Sequence, residues 1–201
     1  ELTACVMSQQ GSTETHAVVA LTALHGMGGI GKSVAMTELA RDANVQAVFR
    51  DGVIWVQLQE KMKEEQIIAH QRIVARYLGV DLQDIPDIKT GASLLQQALR
   101  GKTVLVLIDD VWTREQMDAF ADVIDTANTP SRIVVTTRKG KEVFGKAKAV
   151  EVSTLQPEEA KALIRKHANG KWFDKEGSAI LDVCAGHSLT VAVIAKLIGY
   201  D

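Results

Sequence analysis

Apolar runs and helical stretches alternate along this chain, the pattern of a parallel α/β sheet. Strands are predicted at Ala17 to His25, Val53 to Leu58, Thr103 to Ile108 and Arg132 to Thr136, with a short fifth at Ala149 to Val152. Thr103 to Ile108 is continuous in apolar character, which places it inside the sheet with both faces covered. Helices are predicted at Lys32 to Ala43, Glu64 to Leu78, Ala92 to Leu99 and Arg114 to Thr126. Ile67, Ile68, Ile73 and Val74 fall near helical spacing in the second of these. Gly79 to Thr90, with Pro86, reads as a loop. After Val152 the strand pattern stops, and three helices fit at Pro157 to Asn169, Lys175 to Ala185 and Ser188 to Ile198. We therefore expect a nucleotide-binding subdomain at 1–152 and a helical subdomain at 153–201.

Composition narrows the class. With 201 residues, 46% of them hydrophobic, the chain can bury one sizeable core and a small satellite. A net charge of -2 gives no general attraction to nucleic acid or to an anionic membrane. No apolar run approaches the ~18 residues of a membrane span. Cys5 and Cys184 fit neither a disulfide scaffold nor a zinc site, and both are expected reduced in a cytoplasmic setting. The first residue is Glu1, so an excised piece of a longer protein is expected.

Three motifs carry chemistry. G-M-G-G-I-G-K-S at Gly26 to Ser33 satisfies G-x-x-x-x-G-K-[ST] between a strand and a helix. Glycines let the backbone curl so that the amides of Met27, Gly28, Gly29, Ile30 and Gly31 can turn inward on a polyphosphate. The helix that follows adds its positive end. Lys32 reaches the β and γ phosphates, and the Ser33 hydroxyl coordinates Mg²⁺. Val34 contributes a backbone N–H.

The second motif is V-L-V-L-I-D-D at Val104 to Asp110. A hydrophobic strand ending in Asp delivers a carboxylate to the carboxyl edge of the sheet, where ligands of such folds bind. Asp109 would hold Mg²⁺ opposite Ser33, and Asp110 would orient or deprotonate a water, or merely cap the following turn. The third is R-I-V-V-T-T-R at Arg132 to Arg138. It places a guanidinium after a buried strand, where Arg138 could sense a γ-phosphate.

Together these stretches resemble the NB-ARC domain, a branch of the STAND class of P-loop signalling ATPases. The matching segments are GMGGIGKS, VLVLIDDVW and RIVVTTR, with weaker support from VIWVQL and VSTLQPEEA. The resemblance implies a five-stranded parallel sheet of order 2-3-4-1-5, flanked by helices and followed by a small helical subdomain. It also implies an adenine nucleotide with Mg²⁺: ADP held at rest, ATP taken on activation, slow hydrolysis, and homo-oligomer assembly. Winged-helix, effector and repeat-sensor domains of a parent protein would be the partners. The family usually shows G-L-P-L, whose proline packs near the adenine. Here Cys184 to Leu189 reads C-A-G-H-S-L, with His187 and Ser188 at the leucine and proline positions and Leu189 left as the apolar contact.

Three other classes fit a phosphate loop. A small-molecule phosphotransferase needs an arginine-rich lid, and no such insertion lies between the motifs. A nucleic-acid-associated ATPase is disfavoured by the charge, and a guanine-specific GTPase by the lack of N-K-x-D. The basic run Arg138, Lys139, Lys141, Lys146 and Lys148 reads as a solvated connection, and His187 as a helix-cap residue. Trp55 and Trp112 read as core aromatics, and Trp172 and Phe173 as packed onto the helices.

Overall fold

The computed structural model describes residues 2–7, 21–121, 130–145, 147–168 and 174–200. In chain order the elements are α1 (Leu2–Met7), β1 (Leu21–His25), α2 (Lys32–Arg41), α3 (Ala43–Val48), β2 (Gly52–Gln57), α4 (Glu64–Tyr77) and α5 (Ile88–Leu99). There follow β3 (Val104–Val111), α6 (Arg114–Ala121), β4 (Arg132–Thr137), α7 (Lys141–Phe144), β5 (Lys148–Glu151), α8 (Pro157–His167), α9 (Asp174–Cys184) and α10 (Ser188–Tyr200). The five strands form one sheet of order β2-β3-β4-β1-β5. The pairs β1·β4, β2·β3 and β3·β4 are parallel. This is the order that the family resemblance implied, with the strand before Arg138 between the loop strand and the double-aspartate strand.

Burial explains why the inner strands read so clearly. All six residues of β4 are buried, and so are seven of the eight in β3. The core of the sheet joins Ile54, Val56, Val106, Ile108, Ile133 and Val135 to Ile67, Val74, Leu95, Leu99 and Phe120 of the helices. Buried Gln71 on α4 ties helices together by donating to Ile88 O at 3.0 Å and Ala119 O at 2.9 Å.

Several boundaries differ from the sequence reading. The helix after the phosphate loop stops at Arg41, because Asp42 caps a separate α3 by accepting from Asn44 N at 2.8 Å. The stretch read as a loop to Thr90 turns helical at Ile88, where the Asp87 carboxylate accepts from Thr90 N at 2.9 Å and Thr90 Oγ1 at 2.8 Å. Those bonds hold the Asp87 carboxyl below its ordinary pKa. Part of the basic run forms α7. Trp55 is 37% exposed, more than a core aromatic would be, because its side of edge strand β2 is only partly covered. Residues 17–20, 122–126, Lys146, Trp172 and Phe173 lie outside the described residues.

The chain divides into two compact units, one of Glu1–His25 with Ser33–Val150, the other of Gly26–Lys32 with Glu151–Asp201. In the second, Ala160, Ile164 and Ala168 of α8 and its end pack with Cys184, Val191 and Ala195. Burial raises the Cys184 thiol above its ordinary pKa, so it stays protonated and packs as a small hydrophobe. Helices α8 and α10 approach closely at Gly199, where a Cβ would lie 2.8 Å from His167 O. Among the described residues no helix is long and apolar enough to cross a membrane.

Candidate functional site

The carboxyl end of β3 is set by a break in its pairing. Leu105 to Ile108 match Arg132 to Val135 residue by residue, but the next pair is Val111 with Thr137. The intervening irregularity holds Asp109 and Asp110, and Asp110 takes the left-handed conformation at φ 64°. Bulges of this kind re-aim side chains, and aspartate is among the few non-glycine residues that accept the region.

Asp109 is 5% exposed, and its Oδ1 accepts two hydroxyls: Thr136 Oγ1 at 2.5 Å and Ser33 Oγ at 2.9 Å. Thr136 Oγ1 also accepts from Asp110 N at 2.8 Å, so one buried hydroxyl orients both aspartates. The motif reading missed Thr136. Its position in T-T-R was visible, but its role depends on the β3·β4 register. Hydroxyl plus carboxylate oxygen is a hard donor set of the kind that suits Mg²⁺. Among the described residues no group of three or more His, Cys, Asp or Glu side chains is arranged to hold a metal.

Beside this carboxylate end, Arg138 Nε lies 3.4 Å from Asp110 Oδ1, and its guanidinium sits 5.0 Å from the centre of the Trp112 ring. Trp112 thus serves as a half-buried platform at the sheet edge. Its backbone N–H donates to Gln116 Oε1 at 2.8 Å, while Gln116 Nε2 donates to Gln59 O at 2.7 Å. Buried Gln116 therefore anchors the segment that follows the two aspartates.

The phosphate loop is built as the glycine spacing requires. Gly26, Gly29 and Gly31 have φ of 149°, 74° and 107°. A Cβ at Gly26 would lie 2.7 Å from Val152 O, and one at Gly29 would lie 2.9 Å from His187 Cε1. Both positions exclude larger residues by conformation and by space. Lys32 is 7% exposed, and its Nζ donates to Gly26 O and Met27 O, both at 2.8 Å. The ammonium therefore lies folded over the loop it belongs to. The first turn of α2, from Lys32, Ser33 and Val34, presents backbone amides that have no partner within the helix. Ile30 is buried, whereas Met27 is 68% and Val34 is 65% exposed. Leu189 donates its N–H to Gly29 O at 3.1 Å while its side chain is 56% exposed.

The sequence profile of the NB-ARC domain matches residues 7–173. The chain is 30% identical over 203 residues to the Regulatory protein AfsR of Streptomyces coelicolor, an alignment that covers 98% of this chain and 20% of that protein. It is 28% identical over 193 residues to a disease resistance protein of Arabidopsis thaliana, covering 89% of this chain and 23% of the other. Thus it spans about a fifth of the length of such relatives. In three dimensions it is similar, with a TM-score of 0.60 and 18% identity, to a Signal Transduction ATPase with Numerous Domains (STAND) protein with a tetratricopeptide repeat sensor from Pyrococcus horikoshii. That match covers 88% of this chain and 27% of the other and concerns the fold. The chain belongs to the NB-ARC domain family and has the P-loop fold of the STAND proteins.

Proposed function

We propose that this domain is the nucleotide switch of a longer cytoplasmic signalling protein, binding ADP or ATP with Mg²⁺ and hydrolysing ATP slowly. One observation carries the reading: three positive-φ glycines and an inward-folded Lys32 open directly into the α2 amino terminus. Such an arrangement selects dense negative charge, because a helix amino terminus and an ammonium are gathered at one loop.

The residues divide the work. The amides from Met27 to Val34 bind and orient the phosphates, and Lys32 exchanges its two carbonyls for phosphate oxygens. Ser33 and Asp109 are the residues to hold Mg²⁺, which when bound neutralises phosphate charge. Asp110 receives or orients the proton of an attacking water, and Arg138 contacts the γ-phosphate. Its ion pair with Asp110 and its seat on Trp112 give Arg138 a resting position from which it can report triphosphate. Leu189 supplies an apolar contact to the adenine. The helices of 153–201 form the subdomain that carries the nucleotide state to the rest of the parent protein, with oligomer assembly as the output.

The test is a melting-temperature comparison with ADP, ATP, GDP and GTP, each with and without Mg²⁺. A ligand at 100 times its Kd stabilises by about 2.7 kcal/mol. In a chain of this size that raises Tm by roughly 5–10 °C. Adenine nucleotides should give this shift and guanine nucleotides should not. No shift with any of the four would overturn the reading, and a shift with GDP and GTP alone would overturn the adenine assignment.

A further inference from the structure

Three consecutive residues at the start of α10 hold three carbonyls of the phosphate loop. His187 Nε2 lies 2.8 Å from Gly28 O, Leu189 N–H donates to Gly29 O at 3.1 Å, and Ser188 Oγ donates to Ile30 O at 2.9 Å. Loop and helix belong to the same compact unit. Gly28 O can only accept, so Nε2 of His187 carries the proton. His187 Nδ1 lies 2.8 Å from Thr190 Oγ1. Thr190 thereby holds the ring in the orientation that the contact with Gly28 needs.

The geometry has a direct electrostatic meaning. The N–H and C=O of a peptide plane point to opposite sides, so a donor row along one side of a loop turns its amides towards the other. In a glycine-rich loop this matters, because glycine lets peptide planes rotate with little steric cost. A plane turned the wrong way presents a carbonyl oxygen to phosphate and changes an attraction into a repulsion.

We infer that His187 and Ser188 are positioning residues for polyphosphate: they tie back the carbonyls of Gly28 and Ile30 so that the amides of Gly29 and Gly31 face the ligand. Leucine and proline, the usual family residues at these two positions, have no side-chain donor and cannot make these bonds. The inference rests on the proposed nucleotide binding.

The experiment measures the Kd of Mg²⁺-ADP, and the competition of inorganic tripolyphosphate against a fluorescent ADP analogue. It compares wild type with His187→Ala, His187→Gln, Ser188→Ala and Ser188→Thr, each well below its own Tm. His187→Ala and Ser188→Ala should each weaken both ligands about tenfold, the order expected when an ordering hydrogen bond is lost. His187→Gln and Ser188→Thr, which keep a donor, should recover most of the affinity. If the alanine variants weaken ADP but leave tripolyphosphate unchanged, these residues touch the nucleoside and the inference is wrong. If wild type binds and the alanine variants bind within twofold of it, the inference falls while the proposed function stands. Absence of binding by wild type would remove both.

Discussion

Replacing Lys32 by alanine tests the phosphate loop most directly, and its size can be worked from the geometry. Lys32 Nζ donates to two backbone carbonyls at 2.8 Å, and the residue is 7% exposed. On binding, these bonds are exchanged for bonds to phosphate oxygens. A hydrogen bond to a charged group is worth about 1.5–3 kcal/mol net. With the bonds to anionic phosphate near the top of that range and the bonds given up to neutral carbonyls near the bottom, the difference is about 1–1.5 kcal/mol per contact, or about 2–3 kcal/mol over both. At 1.4 kcal/mol per decade this is a Kd roughly 30–150 times higher. The loss should be larger for ATP than for ADP, since ADP has no γ-phosphate for the ammonium to reach. Without nucleotide the variant should stay folded, with a Tm within about 3 °C of wild type, because Gly26 and Met27, whose carbonyls lose the ammonium, are not buried residues and water can replace it. Calorimetric titration with Mg²⁺-ADP and Mg²⁺-ATP, with circular dichroism to confirm folding, provides the measurement. A folded variant that binds both within threefold of wild type refutes the reasoning.

Other outcomes follow from the same geometry. Asp109→Asn or Ser33→Ala should remove the dependence of ATP affinity on Mg²⁺; titrations with and without EDTA should then coincide for the variants and differ for wild type. Asp87→Ala should lower Tm at neutral pH, since it removes the cap of α5. The Asp87 carboxyl has a folded pKa below its unfolded value of about 3.9, so its stabilisation is present above that value. It is lost as pH falls through the folded pKa, and the gap in Tm between wild type and variant should close on acidification below about pH 4. Gly91→Ala should destabilise the sheet unit by about 1–3 kcal/mol, because the added methyl collides with Gln71 Oε1 and disturbs a buried amide holding two carbonyls. Urea denaturation would measure it, and an unchanged midpoint would count against the packing assigned to Gln71.

What the sequence made legible was what local chemistry determines. A continuous apolar run such as Val104 to Ile108 reads as an inner strand, and β3 is one; four glycines before Lys32 and Ser33 read as a tight turn, and three of them have positive φ. Features that depend on distant pairing stayed hidden. The left-handed Asp110 arises from a shift between β3 and β4, and the work of Thr136 exists only once that register sets its hydroxyl beside Asp109. His187 read as a helix cap because its partner, Gly28, lies 159 positions away. The early start of α5 was a different kind of miss. Asp87 and Thr90 held a capping pattern, and the preceding Pro86 drew the reading towards a loop.

The seat of β4 in the middle of the sheet governs when the molecule can assemble. Leu21 pairs with Ile133, so the first strand has no inner neighbour until the fourth has been made. Its apolar residues must wait while most of the chain leaves the ribosome. A nascent chain halted anywhere before Thr137 carries β1 beside an unfilled slot, ready to bind a chaperone or another unfinished copy. Pairing across such distances is also slow, so the yield of this domain in a cell should depend on the pace of translation through β4 as well as on its final stability.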